Sequence, residues 1–201
     1  MQSKFLVVGT GRAGQSRLKS LNSRGEIASL SLSARDPNFE ISYERHLVDD
    51  EVIAVLICTG NDSHYRLAHA ALTAGKHTLV EFPLCRTHQE GQVLYDLAKR
   101  NRCVLHVEFV GLMTGGHRAL RRVPKTEIAR INVDMSGGYY RWVKLDAESG
   151  HVGTLLIGRL QALHDLVGPM TLKDVQCSQT TRGYELNLTL ESDGGTQIEL
   201  L

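Results

Sequence analysis

No apolar run in the 201-residue sequence approaches the ~20 residues that cross a bilayer. The amino terminus has no charged-then-apolar stretch of the kind that directs secretion. Both absences predict a protein of the cytoplasm, or of an equivalent reducing compartment such as a plastid stroma. Cysteine is scarce and scattered. Cys58, Cys85, Cys103 and Cys177 form no C-x-x-C pair, which argues against a disulfide framework and for free thiols. Cys58 and Cys103 lie in apolar runs and are expected in the core. No His, Cys or carboxylate spacing suits a metal. An excess of either charge is also missing, with 23 Lys and Arg against 22 Asp and Glu. That balance offers no global attraction to nucleic acid or to a membrane surface. There is no internal repeat and no low-complexity segment. The length allows one large domain or two small ones.

What is present begins at Phe5. Four apolar residues, Phe5-Leu-Val-Val8, read as a buried parallel strand, and Gly9, Gly11 and Gly14 follow in the G-x-G-x-x-G spacing of a dinucleotide-binding turn. Gly9 permits the turn out of the strand. Gly11 lets the backbone approach a pyrophosphate, and Gly14 lets the next helix, about residues 13–21, lie close to the strand. The helix amino end offers free N–H groups and a partial positive charge to phosphates. A second strand, Ala28–Ser33, ends near Arg35-Asp-Pro37. An acid at that point would pair with the ribose 2′-OH of NAD, whereas an arginine accommodates the 2′-phosphate of NADP. Ser33 and Arg35 therefore predict NADP.

Strands at Val52–Cys58, His77–Glu81 and Val104–Phe109 alternate with helices at His64–Ala74 and His88–Arg100. This alternation predicts an α/β fold with a doubly wound parallel sheet over residues 1–111. Ligands bind such sheets at the carboxyl ends of the strands, which gathers Thr59, Asn61, Glu81 and Glu108 around the glycine turn. An acid such as Glu108, next to an apolar run, is costly unless paired. His106 is expected to be a satisfied core histidine, and His164 a surface one. Residues 112–201 have a different rhythm. A short basic helix near Thr114–Arg122 opens after Gly116. A strand at Ile128–Asp134, a glycine and aromatic loop at Gly137–Trp142 and a helix at Leu155–Leu166 follow. Strands at Val175–Ser178, Glu185–Leu190 and Thr196–Leu201 come last, with hairpin turns at Arg182-Gly183 and Asp193-Gly-Gly195. The second part is predicted to be a smaller α+β domain with a mostly antiparallel sheet. Arg118, Arg121 and Arg122 read as a solvated helix face. Tyr139, Tyr140 and Trp142 could pack or stack on a planar ligand.

Four stretches now carry a resemblance: Gly9-Thr-Gly-Arg-Ala-Gly14, Gly75-Lys-His-Thr-Leu-Val-Glu-Phe-Pro83, Leu105-His-Val-Glu-Phe-Val110 and Ile157-Gly-Arg-Leu-Gln-Ala-Leu-His-Asp-Leu-Val-Gly168. Together they resemble the Gfo/Idh/MocA oxidoreductases, and within them the biliverdin reductase branch. The resemblance implies that Gly9, Thr10, Gly11, Arg12, Ala13, Gly14, Ser33, Arg35, Thr59, Asn61 and Glu81 bind NADPH, with Glu81 on the nicotinamide ribose. It implies a linear tetrapyrrole (bilin) as substrate, reduced by direct hydride transfer. Glu108 matches an acid at the cofactor crevice and is, with Arg159, a candidate catalytic residue. Arg159 matches an arginine that could donate a proton through an ordered water or serve as electrostatic partner. Phe82 and Arg159 would meet the pigment. Sugar dehydrogenases of the family carry Glu-Lys-Pro and a His-x-x-Asp pair. Here Phe82 replaces the lysine, and the pair falls on Gly158 and Gln161, so no base is placed to oxidise a sugar hydroxyl.

Biliverdin reductases carry a tyrosine where this chain has Phe82, which keeps the ring and loses the hydroxyl. Family members also continue beyond the point where this sequence stops. Fewer strands in the second sheet leave an edge free, suiting a homo-oligomer or a protein partner. A second reading is therefore a catalytically weak or inactive subunit that binds a dinucleotide or bilin and a partner, for example in a pigment or photosynthetic assembly.

Overall fold

The computed structural model describes residues 3–23, 28–134, 156–180 and 183–200. They fall into two compact units, Met1–Phe109 and Val110–Leu201.

The first unit runs β1 (Lys4–Val8), α1 (Arg12–Asn22), β2 (Ala28–Leu32), α2 (Phe39–Val48), β3 (Val52–Ile57), α3 (Asn61–Thr73), β4 (His77–Val80), α4 (His88–Arg100) and β5 (Leu105–Val107). All strand pairs are parallel, in the order β2-β1-β3-β4-β5. Alternation along β1 and β3 divides the core in two. Leu6, Val8, Val55 and Ile57 cluster with apolar side chains of α2, α3 and α4. Val7, Leu56 and Cys58 cluster with Ala13, Leu18 and Leu21 of α1. Burying each such large side chain contributes about 1.5–3 kcal/mol. Two helix ends follow their sequence signals. Thr87 and Glu90 form a reciprocal capping box at the start of α4, and Gly75, at φ 75°, closes α3.

Helix α2 is absent from the sequence reading. Phe39, Tyr43 and Leu47, spaced four apart, are its buried stripe, and the Tyr43 hydroxyl donates to the Leu67 carbonyl at 2.8 Å. Ile41 and Val48 blur that stripe, since they are 62% and 79% exposed. Two burial expectations need correction. His106 is exposed rather than a core residue, because β5 is the sheet's edge strand and the residue falls on its uncovered side. Cys103 is only half-buried, since it sits in the turn before β5 rather than in a strand.

In the second unit, α5 (Gly115–Leu120) starts two residues earlier than the glycines suggest. Thr114 caps it, accepting the His117 N–H at 3.2 Å. Then come β6 (Arg130–Val133), α6 (Ile157–Val167), β7 (Met170–Thr180), β8 (Gly183–Ser192) and β9 (Gln197–Leu200). The sheet order is β6-β9-β8-β7, with β6 and β9 parallel and the other two pairs antiparallel. Leu163, Leu166 and Val167 of α6 pack on Leu188, Leu190, Ile198 and Leu200. Strand β7 is far longer than the expected Val175–Ser178, because the bulge at Leu172/Asp174 breaks its alternation while the ladder with β8 continues. The Asp193-Gly-Gly195 turn joins β8 to β9, with Gly195 at φ 85°. Tyr139, Tyr140, Trp142, the expected helix start at Leu155 and Arg182 lie outside the described residues. Among the described residues, no helix is long and apolar enough to cross a membrane, and no group of three His, Cys, Asp or Glu side chains could hold a metal ion.

Candidate functional site

The strand order reverses direction between β1 and β3, so their following loops diverge and leave a crevice at the carboxyl edge of the sheet. Gly9 opens the first loop at φ 96°. A Cβ there would lie 2.4 Å from the Cys58 carbonyl oxygen. At Gly14 a Cβ would lie 1.8 Å from the Gly9 carbonyl oxygen, so α1 crosses the turn at a distance only glycine permits. Gly11 differs from both. A Cβ there would meet no protein atom within 4 Å, and Gly11 is also the amino-terminal cap of α1, with no side chain capping the helix. An open, uncapped helix start beside a tight turn suits a pyrophosphate. Thr10, Gly11 and Arg12 are exposed, Ala13 is half-buried and Gly14 is buried.

The other strand ends lie in a row beside this turn. The backbone N–H of Cys58 donates to Val8, that of Glu81 to Ile57, and that of Glu108 to Val80, at 2.8, 3.0 and 2.8 Å. Thr59 follows Cys58, and its hydroxyl pairs with that of Ser63 at 2.7 Å. Asn61 opens α3 and is half-buried. Buried His64 ties the loops after β3 and β4 together, with Nδ1 2.7 Å from the Pro83 carbonyl and Nε2 3.2 Å from that of Thr59. Phe82, half-buried, stacks on Phe109 with ring centroids 6.2 Å apart.

Arg17 joins the two acids. Its Nε and one terminal nitrogen donate to Glu81 Oε1 at 3.0 and 2.8 Å, and that same terminal nitrogen lies 3.1 Å from Glu108 Oε1. Partial burial works to lower the guanidinium pKa. The hydrogen bond and charge of Glu81, then those of Glu108, outweigh it and raise the pKa. Cys58 Sγ sits 3.9 Å from Glu81 Oε1. Burial, then the charge of Glu81, pushes this thiol up to about 12. Cys58 is therefore a protonated wall of the crevice and not a nucleophile.

At the end of β2, the Arg35 backbone N–H donates to Ser33 Oγ at 3.2 Å, and the Arg35 side chain is exposed. Asp36 turns its carboxylate to the Asn38 N–H at 2.8 Å. The acid one residue on is thereby engaged with backbone.

Arg159 lies in the second unit, exposed in the first turn of α6. On the same helix Asp165 accepts from buried His117 Nε2 at 2.8 Å and from Arg121 Nε at 3.2 Å. The His117 hydrogen bond, with the charge of Arg121, holds the Asp165 carboxyl below its ordinary value. Sequence reasoning missed Arg17 and this His117–Asp165 pair. Arg17 had a readable signal, because it falls on the inward stripe of α1 between Gly14 and Leu21, where a cation needs a partner. The His117–Asp165 pair, 48 residues apart in sequence, had none.

Comparison with known proteins agrees with this geometry. The Gfo/Idh/MocA family model, described as an oxidoreductase family with an NAD-binding Rossmann fold, matches residues 3–109. The chain belongs to this family. Biliverdin reductase A of Mus musculus is 35% identical over 126 residues, 58% of this chain and 43% of that protein. Biliverdin reductase A of Homo sapiens is 36% identical over 118 residues, 54% of this chain and 40% of that protein. The chain thus matches less than half the length of these two relatives. Among solved structures, the biliverdin reductase of Synechocystis sp. in complex with biliverdin and NADP+ has a TM-score of 0.79 at 25% identity, covering 100% of this chain and 71% of that one. The family fold and an oxidoreductase ancestry follow from these likenesses.

Proposed function

We propose that this chain binds NADPH at the Gly9–Gly14 turn and reduces biliverdin or a related linear tetrapyrrole by direct hydride transfer. The observation that carries the dinucleotide reading is the contrast among three glycines: Gly9 and Gly14 have no room for a Cβ, while Gly11 faces open space at an uncapped helix start. Arg35 and Ser33 are assigned to the 2′-phosphate, supported by the exposed guanidinium and by Asp36 being turned to backbone. Thr59 and Asn61 flank the dinucleotide, and Glu81 accepts its ribose hydroxyls. When bound, NADPH supplies the hydride.

The bilin reading rests on the similarity to biliverdin reductases and on what the site lacks. Phe82 stands where sugar dehydrogenases hold a lysine, and Gly158 and Gln161 stand where they hold an acid/base pair. Methine reduction needs no base on a hydroxyl. It needs a flat apolar surface and a cation or proton donor near the pyrrole nitrogens. Phe82 offers the ring, Glu108 completes the acidic pair beside the cofactor, and Arg159 is assigned as the cation near the pyrrole nitrogens, ordering the water that delivers the proton while the guanidinium stays charged. Cofactor work falls to residues 1–111 and substrate work to 112–201.

The test is spectral. Adding NADPH to the protein with biliverdin should bleach the long-wavelength bilin band as a bilirubin-like band grows in, and Arg159→Gln should slow this. Tight NADPH binding without turnover, in a protein that purifies with a stoichiometric partner, would overturn the reductase reading in favour of a non-catalytic subunit.

A further inference from the structure

Two carboxylates at the ends of adjacent parallel strands form an electrostatically awkward site, because like charges disfavour joint ionisation. Glu81 and Glu108 hold that position, and their side chains are each only 17% exposed. One guanidinium lies between them. Its contacts use Oε1 of each acid, and among the described residues no hydrogen bond reaches the second oxygen of either. We propose that Arg17 is a positioning residue that holds Glu81 and Glu108 as a joined, ionised pair, reserving the second oxygen of Glu81 for the ribose hydroxyls of the dinucleotide. The proposal rests on the dinucleotide reading above.

The groups facing the pair are few. Helix α1 contributes Arg17, and the end of β3 contributes Cys58, a thiol that carries no charge at neutral pH. Among the described residues, no second cation pairs with either acid. Lysine could not replace the bridge in full, since a point charge lacks the planar fork by which Nε and a terminal nitrogen together hold Glu81. With a neutral residue at position 17, two partly buried acids would face each other uncompensated. One would keep its proton toward neutral pH, and an acceptor for the ribose would become a donor.

Wild type, Arg17→Gln and Arg17→Lys would be compared in two ways. Carbon-13 resonance of labelled glutamates, followed against pH, should reveal in Arg17→Gln one glutamate titrating well above the ordinary carboxylate range, absent from wild type and weaker in Arg17→Lys. NADPH affinity, read by cofactor fluorescence, should be flat in wild type between about pH 7 and 8, above the range in which the 2′-phosphate itself titrates. In Arg17→Gln it should fall with decreasing pH, by up to tenfold per pH unit for a single coupled proton. A packing role alone would lower affinity equally at every pH. Arg17→Lys keeps the charge, so the comparison survives if the glutamine variant fails to fold. Absence of the new titration, or a flat profile in both variants, would overturn the proposal. If the titration appears but wild type binds no dinucleotide, the cofactor reading fails and the Arg17 pairing stands.

Discussion

Alanine at Gly14 and at Gly11 should separate fold from binding, since the two glycines serve different ends. At Gly14 the new Cβ would be placed 1.8 Å from the Gly9 carbonyl oxygen, a backbone atom that no side-chain rotation can move. Helix α1 and the turn must part by more than an ångström, disturbing the cluster of Val7, Leu21, Leu56 and Cys58 beneath. Overpacking of this kind costs about 1–3 kcal/mol, and a rigid backbone collision belongs at the upper end. For a unit of this size, 1 kcal/mol lowers Tm by roughly 4 °C, so Gly14→Ala should lose about 8–12 °C. At Gly11 the Cβ meets nothing within 4 Å. Exchanging glycine for alanine at a helix cap costs about 0.5–1 kcal/mol, hence roughly 2–4 °C. Its Cβ nevertheless fills the space assigned to the pyrophosphate, and NADPH affinity should fall at least about tenfold, equivalent to 1.4 kcal/mol. Calorimetric melting and NADPH titration of both variants decide the matter. Wild-type affinity in Gly11→Ala would refute the pyrophosphate assignment, and an unchanged Tm in Gly14→Ala would refute the packing argument.

Arg35→Asp should reverse cofactor choice, weakening NADPH and improving NADH in paired titrations. An unchanged preference would remove Arg35 from the 2′-phosphate. Cys58 should resist thiolate-directed reagents near pH 8 in the folded protein, because burial and Glu81 push its thiol up to about 12. Exposed Cys177 should react first, and mass spectrometry of the labelled peptides reads the order. Asp165 is held below its ordinary value by His117, so its contribution to stability is present above the unfolded-state value of 3.8 and is lost as pH falls through the lower folded value. Denaturant titrations should therefore show Asp165→Asn less stable than wild type at neutral pH, with the gap closing in acid. A gap that stays constant with pH would refute that account.

Legibility in the sequence followed the periodicity. Helix α4 was readable end to end, from His88 to Arg100, because one apolar stripe persists along it, and the Thr87–Glu90 capping box adds a start signal that went unread. Strands β1 and β3, buried on both faces, appear as unbroken apolar runs. Helix α2 escaped notice because Ile41 and Val48 are apolar yet exposed, so the stripe of Phe39, Tyr43 and Leu47 does not stand out. The extent of β7 was hidden for a similar reason. Its bulge moves Leu172 and Asp174 out of simple alternation, and the run Met170–Thr180 is largely exposed.

The site was legible as separate parts and not as an electrostatic unit. Gly9, Gly11 and Gly14 declare themselves by spacing, and Glu81 and Glu108 by following apolar strands. Parallel pairing then dictates that two acids just beyond β4 and β5 become neighbours, because Val80 pairs with Val107 and the next residue of each strand carries the carboxylate. That step follows from topology alone. What it leaves unanswered is how two like charges are tolerated side by side while half-buried. The answer lies 64 residues before Glu81, on a helix whose inward stripe places Arg17 over the strand ends. A cation on a buried stripe and a pair of acids at adjacent strand ends each need a partner. Each need alone is ambiguous in a sequence. Together with the order β1-β3-β4-β5, they select one another.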